Sequence, residues 1–159
     1  MNKLKIFLKN HYYLATAFLM FLSFPSYDLI FLKFFPFFAW FLFVPLYCHV
    51  SGKSSKEVAV TTFLTGLLGH LLTYGWIGNF GAKVPGGFIV ILFFLIPSLS
   101  AFLTIKVTVS EYLSQKYPGY KIFIYPSVGI AVDYIQSVGF LAFPWTYIGY
   151  SQYPFTPFI

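Results

Sequence analysis

The side chains able to do acid–base or nucleophilic chemistry are few, and their spacing matches no catalytic set. Cys48 stands beside His49, but sequence neighbours on a helix do not face each other, and no acid completes a triad. The histidines lack metal-ligand spacing, and there is no C-x-x-C pair. The sequence therefore predicts no metal and no cofactor, and Cys48 is interpreted as a packed or interfacial thiol.

Asp133 is an acid within a long apolar segment, and His70 lies in another such segment, four residues before Tyr74. If these segments span a membrane, a carboxylate there costs at least about 2.5 kcal/mol, so Asp133 should face other helices and have a partner. One interpretation is a polar site in which Asp133 contacts a proton or a substrate and His70 pairs with it. The other is structural: Asp133 bonds to Tyr134, Gln136 or a neighbouring helix, and His70 is a polar packing residue.

The composition predicts that most of the chain lies in a membrane. Of the 159 residues, 58% are hydrophobic, 24% are aromatic and only 9% are charged, whereas globular domains carry about 25% charged residues. We expect an all-α fold, a polytopic bundle of membrane helices. The net charge of +6 comes from lysine without any arginine. This argues against a nucleic-acid partner, since proteins that read bases and phosphates rely on arginine.

Five transmembrane spans account for the apolar segments, within a single N-terminal transmembrane domain at residues 1–159. The expected bounds are 12–24, 29–47, 58–77, 88–109 and 122–141, with polar loops at 48–56 and 110–121 and an outer-face loop at 142–159. Pro97 should kink the fourth span. In the third span, glycines recur on roughly one helical face and should let another helix approach closely. They are Gly66, Gly69, Gly75 and Gly78.

The placement of lysines predicts the orientation. With the N-terminus in the cytoplasm, seven lysines of the terminus and loops lie on the cytoplasmic side, and only Lys33 and Lys83 lie on the other. This is the bias of the positive-inside rule. It places the loops around 24–28, 78–87 and 143–152 together on the outer face. By its aromatic content alone, the last of these is interpreted as an interfacial anchor.

Four segments resemble the membrane part of the apolipoprotein N-acyltransferase family. They are Ser23-Phe24-Pro25-Ser26-Tyr27-Asp28, Thr73-Tyr74-Gly75-Trp76-Ile77, Pro85-Gly86-Gly87, and Phe143-Pro144-Trp145 followed by Gly149-Tyr150-Ser151-Gln152. The resemblance covers about residues 12–159. Asp133 and Gln136-Ser137 stand where the family usually has a Glu and an Arg-Gly pair. The family's nitrilase-like domain, with its catalytic Glu, Lys and Cys, is not among these residues, so no catalytic residue is carried over.

The resemblance implies a multi-pass protein of the bacterial cytoplasmic (inner) membrane. The full enzymes move an acyl chain from a phospholipid, through a cysteine thioester, to the terminal amino group of a diacylated lipoprotein. This chain would be a truncated or split form, a scaffold and lipid-access rim that does not catalyse on its own. Its implied partners are membrane phospholipid, the diacylated lipoprotein and a missing or separate catalytic domain.

The candidate rim residues come from the resembling segments. They are Pro25, Tyr27, Asp28, Tyr74, Trp76, Pro85, Gly86, Gly87, Phe143, Pro144, Trp145, Gly149, Tyr150, Ser151 and Gln152. The alternative hypothesis is a small, non-enzymatic helical membrane protein for binding or transport, with Asp133 and His70 as its polar site.

Overall fold

The computed structural model describes residues 10–24, 35–77, 86–138 and 151. Within these ranges the chain consists of helices and short connections and contains no strand. The predicted all-α fold class is thereby confirmed.

Five helical elements follow one another along the described chain. We label them α1 (Tyr12–Ser23), α2 (Pro36–Val50), α3 (Ser55–Tyr74), α4 (Gly87–Lys116) and α5 (Lys121–Ser137). α1 and α2 each begin with a 3-10 segment, Tyr12–Leu14 and Pro36–Phe41. A 3-10 turn at Gly75–Ile77 follows α3, and another at Pro118–Tyr120 precedes α5.

Among the described residues, α4 is the helix that is long and apolar enough to cross a membrane. It has 30 residues and a mean hydropathy of 2.6 over its most apolar window, and a bilayer crossing needs about 20 residues. α1 and α2 are apolar but shorter. The length of α4 corrects one prediction, because residues 110–116 are helical and do not form the start of a polar loop.

α4 continues past residue 109 because a row of buried side chains continues along one of its faces. Leu103, Val107, Ser110 and Ser114 are all buried and follow one another at steps of four, three and four residues. These steps keep them on one face of a helix. Ser110, Glu111 and Ser114 are therefore polar residues on the packed face of α4, where helical structure continues beyond the apolar segment.

A π-helical segment at Ile91–Leu95 lies just before Pro97, where the sequence predicts a kink. Proline removes a backbone donor and crowds the carbonyl four residues earlier. The π segment widens the turn beside the proline; π-helices are rare and appear mostly as single turns inside α-helices.

α3 lies at the centre of the bundle, packed against α4 on one side and α1 on the other. Glycine permits both contacts. A Cβ at Gly66 would lie 3.1 Å from Ser100 Cβ of α4, and one at Gly69 would lie 2.6 Å from Met20 Sδ of α1. The predicted close approach is found at Gly66 and Gly69, but the two face different helices and not one shared neighbour, and Gly78 lies outside the described residues.

The apolar core joins α2, α3 and α4 around five buried side chains. They are Leu46, Val50, Val58, Leu103 and Val107. α1 is tied to α2 by the Leu46 N–H, which donates to Thr16 Oγ1 at 3.2 Å. The resulting bundle holds α3 and α4 in fixed register, and this register positions the polar side chains described next.

Candidate functional site

His70 lies inside the bundle, between α3 and α4. Its ring is 3% exposed, stacks near Tyr74 with centroids 6.1 Å apart, and places Nδ1 3.2 Å from Ser100 Oγ. The contact is made possible by the close approach at Gly66, about one turn before His70, which brings the two helix backbones together.

The hydrogens available to Ser100 and His70 show which of the two groups is the hydrogen-bond donor. The hydroxyl of Ser100 has one proton, and it donates that proton to the Ile96 carbonyl oxygen at 2.8 Å. Ser100 Oγ is then an acceptor toward His70, so Nδ1 of the ring carries the hydrogen. His70 thus acts as an interhelical hydrogen-bond donor, which is the structural role that the sequence offered as one of its two interpretations.

Asp133 forms an ion pair with a lysine of the neighbouring helix. Asp133 Oδ1 of α5 lies 2.6 Å from Lys106 Nζ of α4. The lysine side chain is 14% exposed and the aspartate 34%. Gly129 of α5 faces the lysine stem, because a Cβ there would lie 4.0 Å from Lys106 Cδ. Asp133 thus has a partner on a neighbouring helix, as the sequence led us to expect.

The suggested pairing of His70 with Asp133 is not the contact that the structure shows. His70 bonds to Ser100, whereas Asp133 bonds to Lys106. Ser100 and Lys106 are six residues apart on α4, an axial separation of about 9 Å. Six residues also turn an α-helix by about 240°, so the two groups lie at different levels and on different sides of α4, each with its own partner.

Glu111 forms a third polar level, one that the sequence reading placed in a loop. Its side chain is 2% exposed. Oε1 accepts from the Gly52 N–H at 2.7 Å and from Gln115 Nε2 at 3.2 Å. Oε2 accepts a short hydrogen bond from the Tyr125 hydroxyl. One carboxylate thereby joins α4, α5 and the connection between α2 and α3.

Further contacts close the same end of the bundle. Gln115 Nε2 also donates to the Lys53 carbonyl oxygen at 2.8 Å, and Lys121 Nζ donates to Ser51 Oγ at 2.9 Å. The ring centroids of Tyr47 and Tyr125 are 4.3 Å apart. The α2–α3 and α4–α5 connections therefore lie at one end of the bundle and contact each other.

Several candidate rim residues can be placed in the structure. Tyr74 is buried, 4% exposed, with its ring beside His70. Gly86 has a φ of +78°, the left-handed conformation that favours glycine, and Gly87 begins α4. Ser151 is fully buried. Trp76 lies within the turn that follows α3.

The remaining rim candidates lie outside the residues that the structure describes. They are Pro25, Tyr27, Asp28, Pro85, Phe143, Pro144, Trp145, Gly149, Tyr150 and Gln152.

The geometry around Cys48 and His49 offers no activated thiol. Cys48 is exposed. His49 Nε2 lies 2.7 Å from Lys53 Nζ, and its ring packs 4.5 Å from that of Tyr13. Within the described ranges, no three His, Cys, Asp or Glu side chains gather as a metal site requires. The described bundle uses its polar side chains to hold helices together.

Comparison with known proteins identifies one family. A family model described as the apolipoprotein N-acyltransferase N-terminal domain matches residues 16–159, which is most of the chain. No curated protein and no solved structure matched the chain.

Proposed function

The chain belongs to the apolipoprotein N-acyltransferase N-terminal domain family, and from this premise we propose that it is the membrane-embedded portion of a lipoprotein N-acyltransferase system. In that role it holds a catalytic domain at the outer membrane surface and admits lipid-bearing substrates from the side. It does not catalyse acyl transfer on its own. The family match over residues 16–159 is the observation that carries this proposal.

The interhelical contacts support a scaffold role. Two polar pairs join helices inside the bundle: His70 with Ser100, and Lys106 with Asp133. Membrane helices associate through small residues and polar contacts of this kind. Helices held together in this way can form a rigid support for another domain.

The proposed topology has five spans, a cytoplasmic N-terminus and a multi-pass location in the bacterial inner membrane. The lysine-bearing connections are the basis for the orientation. Lys53 lies in the α2–α3 connection and Lys121 begins α5, both at the end of the bundle where the two connections meet. Lysines at this end suit a cytoplasmic face under the positive-inside rule. The opposite end then carries Tyr74 and the start of α4 at Gly87, toward the outer surface.

The proposed lipid-access rim is at that outer end. Gly86 turns the chain into α4 in a left-handed conformation, and the segments around Pro25, Pro85 and Trp145 are assigned to the same rim by the sequence. Aromatic, proline and glycine residues at this depth suit a surface against which acyl chains pack. Phospholipid and diacylated lipoprotein are the proposed substrates of the assembled system.

Complementation tests the proposal. Cells depleted of their apolipoprotein N-acyltransferase are supplied with this chain alone, with a family nitrilase-like domain alone, or with both. We expect growth only when both are present, and loss of growth when the catalytic cysteine of the added domain is replaced by alanine. Immunoblotting of the membrane fraction shows that each protein is made. Rescue by the 159 residues alone would refute the scaffold role.

A further inference from the structure

An apolar groove runs along the outside of the bundle between α3 and α4. Its volume is about 440 Å³, and its walls include Val60 and Leu64 of α3 and Ala101 and Ile105 of α4. Three of the wall side chains are about half exposed: Val60 54%, Leu64 53% and Ile105 50%. The groove is thus an exposed apolar depression on the surface, between the two helices that pack most closely.

The one hydroxyl in the groove wall is already used by the backbone. Thr104 Oγ1 donates to the Ser100 carbonyl oxygen at 2.7 Å, so it has no proton to offer to an occupant. The groove therefore offers dispersion contacts and apolar burial. It matches a hydrocarbon chain in chemistry, and its volume falls in the range of ligand sites, about 300–1,000 Å³.

A free positive charge stands at one end of this groove. Lys56 is on α3, one turn before Val60 and two turns before Leu64, so the three side chains share one helical face. Lys56 is exposed. The other lysines in the described ranges have a contact within the protein: Lys53 with His49, Lys106 with Asp133, Lys116 with the Tyr117 ring, and Lys121 with Ser51. Lys56 has no such contact among the described residues.

We propose that the α3–α4 groove binds one acyl chain of an anionic phospholipid from the cytoplasmic leaflet, with the lipid phosphate at Lys56. The inference rests on the membrane orientation in the proposed function, but it concerns the opposite leaflet from the proposed rim. Val60 and Leu64 are about 8 and 14 Å along the axis from the start of α3. This depth lies within the cytoplasmic half of a hydrocarbon core about 30 Å thick.

The apolar groove and the charge of Lys56 together favour a lipid over another helix as the occupant. An apolar helix seated in the groove would cover Lys56 without supplying a counter-charge. A phospholipid fills the groove with a flexible chain and meets the ammonium group with its phosphate, while the lysine stem extends toward the headgroups. An anionic lipid gains about 1 kcal/mol per lysine near the surface, which corresponds to about a fivefold preference over a zwitterionic lipid.

Photocrosslinking in lipid nanodiscs tests the site. The full 159-residue chain is reconstituted in phosphatidylcholine with a small fraction of either phosphatidylglycerol or phosphatidylcholine that carries a photoreactive acyl chain. Labelled positions are mapped by mass spectrometry. We expect labels on both walls of the groove, at residues 59–64 and 101–105, with phosphatidylglycerol labelling about fivefold more than phosphatidylcholine.

Two variants and their controls separate the headgroup contact from the groove. Lys56→Gln should bring the ratio of the two lipids close to one, whereas Lys116→Gln, which changes a lysine at the same end of the bundle, should leave the ratio unchanged. Ala101→Phe fills the groove and should remove labelling by both lipids. Ala131→Phe, on the exposed face of α5, is the control for added bulk, and the Lys56→Gln comparison stands even if Ala101→Phe does not fold.

Three results would overturn the proposal: equal labelling by both lipids in the unaltered protein, a ratio insensitive to Lys56→Gln, or crosslinks between two copies of the chain in place of lipid labels at the groove. The complementation assay of the proposed function is a separate readout. Loss of the lipid preference would leave the acyltransfer role standing, and failed complementation would leave the lipid site standing.

Discussion

The backbone N–H of Gly52 donates to Glu111 Oε1 at 2.7 Å, across 59 residues of sequence. Gly52 has a φ of +78°, a left-handed conformation that a residue with a Cβ rarely adopts. The tight connection between α2 and α3 is thus shaped by glycine and fastened to α4 by a carboxylate. Because the same carboxylate accepts from Tyr125 of α5, this contact fixes one whole end of the bundle.

Replacing Glu111 with alanine should loosen that end. Three donors would lose their acceptor, and hydrogen bonds to charged groups are worth about 1.5–3 kcal/mol each. We expect a loss of about 3 kcal/mol in the free energy of unfolding and faster tryptic cleavage after Lys53, whose carbonyl oxygen is bonded by Gln115. Tyr112→Ala, at an exposed position of α4 one residue away, is the control for a substitution in the same turn. Equal cleavage rates for the two variants would contradict the fastening role.

The Lys106–Asp133 pair should show strong energetic coupling in a double-mutant cycle. Lys106→Met or Asp133→Leu alone leaves one charge without its partner, whereas the double variant replaces the pair by apolar side chains. Breaking a buried pair costs about 3–5 kcal/mol. We expect about 1–3 kcal/mol for each single variant, because Asp133 remains 34% exposed, and recovery of most of that loss in the double variant.

Thermal unfolding in detergent measures this cycle, with Lys116→Met as a control for the loss of one lysine charge. Additive losses in the double variant would show that the 2.6 Å contact contributes no coupling to stability.

The sequence was sufficient for the helical class and for the role of the glycines. Long, continuous apolar segments with few charges predict helices, and small residues at Gly66 and Gly69 indicate close packing without knowledge of the neighbouring helix. Which helix each glycine meets could not be read, because that depends on how α1 and α4 are arranged around α3.

The polar contacts were harder to predict because they depend on register between helices. Lys106 lies near the end of the span predicted at residues 88–109, and no sequence pattern links it to Asp133, 27 residues later. Glu111 was missed because hydropathy falls at Ser110. The continued spacing of Leu103, Val107, Ser110 and Ser114 was an available signal that the helix and its buried face run on.

The glycines of the bundle should respond to alanine in opposite ways. Gly66→Ala places a Cβ 3.1 Å from Ser100 Cβ and 3.2 Å from Ser100 Cα, so backbone must move, and overpacking of this kind costs about 1–3 kcal/mol. Gly129→Ala meets only the Lys106 stem, at 4.0 Å. It should stabilise α5 by up to about 1 kcal/mol through helix propensity.

Gly69→Ala provides an intermediate case, because the added Cβ meets the flexible end of Met20. The loss of stability caused by Gly69→Ala should be smaller than that caused by Gly66→Ala. It should be smaller still when Gly69→Ala is introduced into a Met20→Ala background. Detergent unfolding midpoints rank the three variants. A Gly66→Ala protein as stable as the unaltered chain would mean that α3 and α4 do not approach as closely as described.

The start of α3 should become less stable in acid. The Ser54 side chain and the Ser54 backbone N–H both hydrogen bond with Glu57, and these bonds, the side-chain bond first, lower the pKa of the exposed Glu57 carboxyl. A lowered folded-state pKa means that the stabilisation is complete above the ordinary value of about 4.3 and is lost as the pH falls through the folded value.

Hydrogen exchange of the amides in the first turn of α3 measures this effect between about pH 6 and pH 3. The comparison is between the unaltered chain and Glu57→Gln, since the glutamine cannot titrate and other acids cancel in the difference. The protection difference should shrink in acid. A difference that is constant with pH would show that the Ser54–Glu57 capping box does not depend on the charge.

The proposed orientation predicts which introduced cysteines an impermeant thiol reagent reaches in intact cells. In a Cys48→Ser background, which removes the exposed native thiol, Thr146→Cys should be labelled from outside and Ser55→Cys only after the membrane is permeabilised. Ser55 is chosen as the inner position because it is exposed. Its neighbour Ser54 is left unchanged because it caps α3. The reverse pattern would invert the topology and would move Lys56 and the α3–α4 groove to the outer leaflet.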